Sequence, residues 1–134
     1  MQNNNFPVTW IPVKCHPEQF IGVSECPGKS SIKSGSKLKL TNDLGSLRQQ
    51  GVNVIVSLIS EIEIESFGID NFAETLEKFG FMHYVEPIHD FSIPADNRRK
   101  NVNNLIQTIS ILLNENKLVL VHCNAGLGRS GMII

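Results

Sequence analysis

The fold of this chain is decided by residues 119–131, which read VLVHCNAGLGRSG. The segment begins in an apolar run, Leu118 to Val121, of the kind found in strands that are covered on both faces of a parallel sheet. A glycine-containing loop follows from Cys123 to Arg129, and Ser130 is a residue type that commonly begins a helix. The segment therefore predicts a buried strand, a tight loop and the start of a helix, in that order.

A loop at such a junction is suited to binding a phosphate group. Its backbone N–H groups converge on one point, at the positive end of the helix dipole. Gly126 and Gly128 allow the backbone to curl closely around an anion, and the planar guanidinium of Arg129 can bind two phosphate oxygens at once. We therefore predict that phosphate is bound by the loop residues Asn124, Ala125, Gly126, Leu127, Gly128 and Arg129.

Cys123 stands at the base of this loop. Cysteines at helix N-termini or beside cations are held as thiolates, and a thiolate in line with a bound phosphorus is a good nucleophile for phosphoryl transfer. A plain glycine turn beside a buried cysteine would not need Arg129. The segment thus predicts Cys123 as a nucleophile that attacks phosphorus.

The rest of the chain predicts one α/β domain over residues 1–134, with a central, mainly parallel sheet flanked by helices. Apolar runs predict strands at 8–11, 20–23, 52–59, 82–85 and 118–121. The first two are expected at the edge of the sheet, because Pro7, Pro12 and Pro17 interrupt them. Helically spaced apolar residues predict helices over 40–51, 70–80 and 97–114.

Several boundaries follow from capping and turn residues. Thr41 or Asn42 is expected to cap the first helix, and Asp70 the second. The serine- and lysine-rich residues 29–39 and the proline-containing residues 86–96 predict exposed loops.

Composition excludes several classes of protein. Apolar residues make up 41% of the 134 residues and the formal net charge is −1, so no bulk field attracts nucleic acid or an anionic membrane. The polar start and the lack of a long apolar run predict a cytoplasmic protein without a membrane span. Cys15, Cys26 and Cys123 lack both a disulfide pattern and zinc-ligand spacing, so Cys15 and Cys26 are expected to be small core or surface residues and no metal is expected.

Residues 123–130 resemble the active-site signature of the protein tyrosine and dual-specificity phosphatases. In this segment five residues separate Cys123 from Arg129, and Ser130 follows directly. More widely, from about Val8 to the end, the chain resembles the kinase-associated phosphatase family, the cyclin-dependent kinase inhibitor 3 group. The shorter matching pieces are Phe20-Ile21-Gly22, Pro27-Gly28-Lys29, Leu47 with Gly51, and Pro87-Ile88-His89-Asp90.

The resemblance implies roles for three more residues. Asp90 would be the general acid that protonates the leaving group. Asp96 is an open alternative, although its simpler interpretation is the cap of the helix that follows it. Ser130 would help the thiolate of Cys123 to leave, and His122 would support the loop. No cofactor is expected, and the chain is expected to act on a phosphorylated protein as a monomer. A cyclin-dependent kinase is the partner that the resemblance suggests.

Two basic groups admit two interpretations each. Arg98, Arg99 and Lys100 stand at a helix start, where the dipole disfavours cations, so they could hold a phosphorylated partner or simply form a solvated face. The second group follows the Pro27-Gly28 turn, where the family also carries basic residues, and consists of Lys29, Lys33, Lys37 and Lys39.

Only Gly131 to Ile134 follow Ser130, whereas in the resembled family this helix is longer and more helices follow. The expectation is a cysteine-phosphatase fold without its C-terminal helices. This leaves open a phosphoprotein-binding module that does not turn over its ligand. A phosphatase for small molecules is the third alternative, although residues 124–128 contain none of the lysines that phosphoinositide phosphatases often place there.

Overall fold

The computed structural model describes residues 6–13, 16–29, 36–86 and 96–123. In this part of the chain the elements follow in the order β1 (Thr9–Val13), β2 (His16–Glu25), α1 (Ser36–Gln49), β3 (Val54–Ser57), α2 (Glu61–Ser66), α3 (Phe72–Lys78), β4 (Met82–Val85), α4 (Asp96–Asn114) and β5 (Val119–Cys123). No helix among these residues has the length and apolar character needed to cross a bilayer.

The described strands form one sheet in the order β1-β2-β5-β3-β4. β1 pairs antiparallel with β2, whereas β2 with β5, β5 with β3, and β3 with β4 are parallel pairs. The prediction of a mainly parallel sheet flanked by helices is confirmed. β5 lies in the middle, so the strand that leads to Cys123 has a neighbour on each side.

β2 is an internal strand, and its prediction as an edge strand was wrong. It pairs with β1 on one side and with β5 on the other, but the β5 ladder begins only at Ile21, opposite Val119. Pro12 lies in β1 and Pro17 in the part of β2 that precedes Ile21. Their missing N–H groups therefore do not interrupt the hydrogen bonds between β2 and β5. The prolines therefore do not exclude β2 from the interior of the sheet.

The core lies on both faces of β3 and β5, whose residues are all buried. Helices supply the covering side chains, among them Leu44 and Leu47 of α1, Leu76 of α3 and Ile109 of α4. The continuous apolar runs of these two strands follow from this, because a strand covered on both faces has no solvent side on which to alternate.

The first helix begins at Ser36, so the prediction of a loop up to Lys39 and of a cap at Thr41 or Asn42 was wrong. The Lys39 ammonium lies 2.7 Å from the Asp43 carboxylate, one helical turn later, and this pair supports the additional turn. The same carboxylate accepts a hydrogen bond of 2.9 Å from the Gly28 N–H, which ties the turn after β2 to α1.

Other boundaries also differ from the predictions. α2 was missed, although Ser60 and Glu63 have the spacing of a helix-start signal, and the Glu63 N–H does donate to Ser60 Oγ at 3.2 Å. Asn71, with φ 55°, occupies the N-cap position of α3 in place of Asp70 and makes no side-chain capping hydrogen bond. α4 begins at Asp96, one residue before the predicted start at residue 97. β5 extends to Cys123, two residues beyond the predicted end, and β3 covers only the middle of the predicted strand 52–59.

Candidate active site

The candidate site lies at the carboxyl edge of the parallel strands, where ligands bind in open α/β sheets. Cys123 is the last residue of β5, is 1% exposed and pairs with Glu25 of β2. On the other side Ser57 of β3 pairs with His122, and the Leu58 N–H donates to the His122 carbonyl at 3.0 Å. The backbone that carries Cys123 is thus held from both sides.

His122 is completely buried beside the cysteine. Its Nε2 lies 2.7 Å from Ser57 Oγ. Burial, with a smaller contribution from the nearby His83, lowers its pKa to about 3, and the backbone of Cys123 acts in the opposite direction. This shift favours a neutral His122 at physiological pH, so its imidazole is not the expected source of positive charge for a Cys123 thiolate.

Ser57 contacts His122, and His83 contacts Ser57, so both lie at this site, although the sequence pattern did not indicate a functional role for either. Ser57 Oγ also lies 2.8 Å from His83 Nε2, so one hydroxyl contacts both imidazoles. The Phe72 ring packs edge-on against His83 and His122, with centroid distances of 5.6 Å to each. A signal was present, because Ser57 is a polar residue inside an otherwise apolar run, but nothing in the sequence pairs it with β4.

Cys26 is a second buried thiol, next to the end of β2. Burial raises its pKa to about 12, against the opposing effect of the Lys29 charge. It therefore remains a thiol at neutral pH and is unsuited to act as a nucleophile. Of the two interpretations given by the sequence, the core residue is the one observed; Cys15 lies outside the described residues.

Lys29 and Lys39, two members of the second basic group, have partners inside the fold. The Lys29 ammonium lies 5.1 Å from the centroid of the Phe67 ring, and Lys39 pairs with Asp43. Lys33, the side chain of Lys37 and the side chains of Arg98, Arg99 and Lys100 lie outside what the structure describes.

The structure places two of the predicted site residues, His122 and Cys123, and brings them together with Ser57 and His83. The others lie outside the described residues: Asp90, Asn124, Ala125, Gly126, Leu127, Gly128, Arg129 and Ser130. Asp96 is described only as the first residue of α4. Among the described residues no three His, Cys, Asp or Glu side chains gather as a metal ion would require.

The chain is similar to the protein named cyclin-dependent kinase inhibitor 3 in three mammals. Identity is 22% over 127 residues for Rattus norvegicus, 23% over 127 for Sus scrofa and 23% over 124 for Mus musculus. These alignments cover 94%, 94% and 92% of this chain but only 58%, 58% and 56% of the relatives. The chain thus spans little more than half the length of these proteins.

Two solved structures have the same fold. Kinase associated phosphatase, with serine in place of its catalytic-site cysteine, matches with a TM-score of 0.80 and 20% identity, over 98% of this chain and 72% of the other. Tk-PTP in its active form matches with a TM-score of 0.60 and 24% identity, over 84% and 63%.

One family profile matches residues 30–134, which is most of the chain and includes the whole segment from β3 to the predicted phosphate loop. The family is described as a polymorphic toxin system, DSP-PTPase phosphatase. The position of Cys123 at the end of the central parallel strand agrees with this match, as does the phosphatase fold of the two solved structures. The chain therefore belongs to the DSP-PTPase phosphatase family of polymorphic toxin systems.

Proposed function

We propose that this chain hydrolyses phosphoserine, phosphothreonine or phosphotyrosine in proteins through a phosphocysteine intermediate. The observation that carries the proposal is the position of Cys123, which ends the central parallel strand next to a neutral histidine. Since His122 supplies no positive charge, the thiolate is stabilised by the N–H groups of residues 124–128 and by Arg129.

The reaction has two steps. In the first, Cys123 Sγ attacks phosphorus, an S–P bond forms, the P–O bond to the leaving alkoxide or phenoxide breaks, and Asp90 donates a proton to that oxygen. In the second, a water oxygen attacks phosphorus, Asp90 accepts its proton, the S–P bond breaks and inorganic phosphate leaves. Arg129 binds the phosphate oxygens in both steps, and the Ser130 hydroxyl stabilises the departing thiolate.

The topology supports Asp90 as the acid. β4 and β5 end at the same edge of the sheet with β3 between them, so their ends are about 10 Å apart. Asp90 follows Glu86, the residue after β4, by four positions, and four residues can span up to about 13 Å. Asp96 begins α4, which leaves it the simpler role of a helix-terminal residue.

The names of the relatives suggest a substrate. We infer that a phosphorylated kinase of the cyclin-dependent class is the kind of protein on which this domain acts, because the chain is similar in sequence to cyclin-dependent kinase inhibitor 3 and similar in fold to kinase associated phosphatase. We further propose that residues 1–134 form a single catalytic domain that works as a cytoplasmic monomer. Size-exclusion chromatography with light scattering tests the last point, and a dimer mass would refute it.

The decisive experiment is hydrolysis of para-nitrophenyl phosphate by this chain and by Cys123→Ser, with folding checked by circular dichroism. Turnover by the parent alone supports the cysteine mechanism. A folded parent that binds phosphopeptides without turnover would instead indicate a phosphoprotein-binding module. A panel of phosphopeptides and inositol phosphates then separates protein substrates from small ones.

The family description adds a second test, since it places such domains in polymorphic toxin systems. If the phosphatase activity is itself toxic, cells that express the parent chain should stop growing and cells that express Cys123→Ser should not. Equal growth of both would separate the enzymatic activity from toxicity.

A further inference from the structure

A chain of hydrogen bonds links the half-buried His83 to the residue next to the nucleophile. His83 Nε2 lies 2.8 Å from Ser57 Oγ, and Ser57 Oγ lies 2.7 Å from His122 Nε2. The Phe72 ring packs edge-on against both imidazoles. β3, β4 and β5 therefore contribute one residue each to a polar network in an otherwise apolar core.

The chemistry of the hydroxyl couples the two histidines. Ser57 has one hydrogen, so it can donate to only one of the two Nε2 atoms and must accept a hydrogen from the other. Burial lowers the pKa of both imidazoles, so each neutral ring carries a single N–H. One ring therefore has its hydrogen on Nε2 and the other on Nδ1.

The surroundings of His122 decide between the two arrangements. Its Nδ1 is buried without a well-aligned hydrogen bond among the described residues, yet the adjacent backbone of Cys123 acts to raise its pKa. A backbone group that raises this pKa is an acceptor, and an acceptor favours a hydrogen on the ring. The Nδ1–H form of His122 is therefore favoured, and its Nε2 then accepts from Ser57.

We propose that His83 is a positioning residue that acts through Ser57: its Nε2–H donates to the Ser57 hydroxyl, the hydroxyl donates to His122 Nε2, and His122 is held with its hydrogen on Nδ1, beside the backbone of Cys123. Without His83, His122 Nε2 is the remaining side-chain partner of Ser57 Oγ among the described contacts, so the hydroxyl could either donate to that nitrogen or accept from it. The Cys123 backbone and the loop that follows it would then lose a fixed neighbour.

The inference deepens the proposed function and depends on Cys123 being the nucleophile, but its first test does not require activity. Long-range nitrogen–proton NMR of histidine-labelled protein reports the tautomer of each ring. We expect His122 as the Nδ1–H form and His83 as the Nε2–H form. An Nε2–H form of His122 would overturn the proposal, whether or not the chain is an active phosphatase.

The second test compares two variants at the same position. His83→Gln places an amide N–H where Nε2 stands, and His83→Leu keeps a similar volume without any donor. We expect kcat of His83→Leu to fall about tenfold with KM nearly unchanged, because a positioning role affects the reacting geometry more than substrate binding. His83→Gln should stay within about threefold of the parent and keep the His122 tautomer.

Each outcome has one meaning. If both variants fold and have the same kcat while the parent is active, the positioning role is refuted and the proposed function stands. If the parent is inactive, the proposed function fails and the NMR measurement alone judges the tautomer. If His83→Leu does not fold, the test uses His83→Gln alone. Loss of the Nδ1–H form of His122 in that variant would refute the proposal, and retention of the Nδ1–H form would support it.

Discussion

The Gly28 N–H donates a hydrogen bond of 2.9 Å to the carboxylate of Asp43, and Lys39 binds the same carboxylate oxygen at 2.7 Å. Asp43 is almost fully buried, so these bonds stabilise a negative charge in the interior and fix the turn after β2. Asp43→Ala leaves the buried Gly28 N–H without an acceptor. We expect the free energy of unfolding to fall by about 1–3 kcal/mol, measured by urea denaturation.

Asn42→Ala is the matched control, because Asn42 is exposed in the same helix. It should change the free energy of unfolding by no more than about 0.5 kcal/mol. Equal effects of the two substitutions would show that the Asp43 contacts contribute nothing to stability.

A pair of glycine substitutions tests the packing over β2. A Cβ on Gly22 would lie 2.8 Å from Val8 Cγ1 and 2.9 Å from Trp10 Cζ3, whereas a Cβ on Gly45 in α1 would meet nothing within 4 Å. Gly22→Ala should therefore destabilise the protein by about 1–3 kcal/mol through overpacking. Gly45→Ala should stabilise it by up to about 1 kcal/mol, because alanine is the better helix former. Thermal unfolding of both variants measures this, and a stable Gly22→Ala would contradict the close packing.

Acid should destabilise the fold through His122. The ring has an ordinary pKa of 6.5 in the unfolded chain, and burial lowers its pKa to about 3 in the folded one. Between these values the unfolded state binds more protons, so the free energy of unfolding falls as the pH falls, by up to about 1.4 kcal/mol per pH unit. His83 acts in the same direction, since burial also lowers its pKa.

Urea unfolding between about pH 7 and about pH 4.5 measures this slope. His122→Asn cannot take up the proton and should show a shallower slope than the parent chain. If the free energy of unfolding depends on pH equally in the parent and in His122→Asn, His122 is not buried in its neutral form.

The general acid can be assigned by comparing two carboxylates. Asp90→Asn should lower kcat by about 10²–10⁴-fold for substrates with poor leaving groups, because the leaving oxygen then departs without a proton. The loss should be much smaller for para-nitrophenyl phosphate, whose leaving group needs little assistance. Asp96→Asn should retain most of the activity on both kinds of substrate. A leaving-group-dependent loss in Asp96→Asn alone would transfer the acid role to that residue.

The sequence by itself determined the parts that depend on local order. The apolar runs of β3 and β5 predicted buried parallel strands, because strands covered on both faces of a sheet carry such runs. The residues from Cys123 to Ser130 predicted the chemistry, because an anion-binding loop needs glycines, a guanidinium and a helix start at consecutive positions. The family match agrees with that reading.

Only the tertiary structure decided which distant residues meet. The internal position of β2 depends on its pairing with β5, about a hundred residues later, and no local pattern around Pro12 and Pro17 encodes that partner. Ser57 and His83 lie on separate strands, and they join His122 only because β3 pairs with both β4 and β5. A hydrogen bond depends on distance in space, so sequence spacing could lead to the prediction of Cys123 as nucleophile but not to the contacts of Ser57 with His83 and His122.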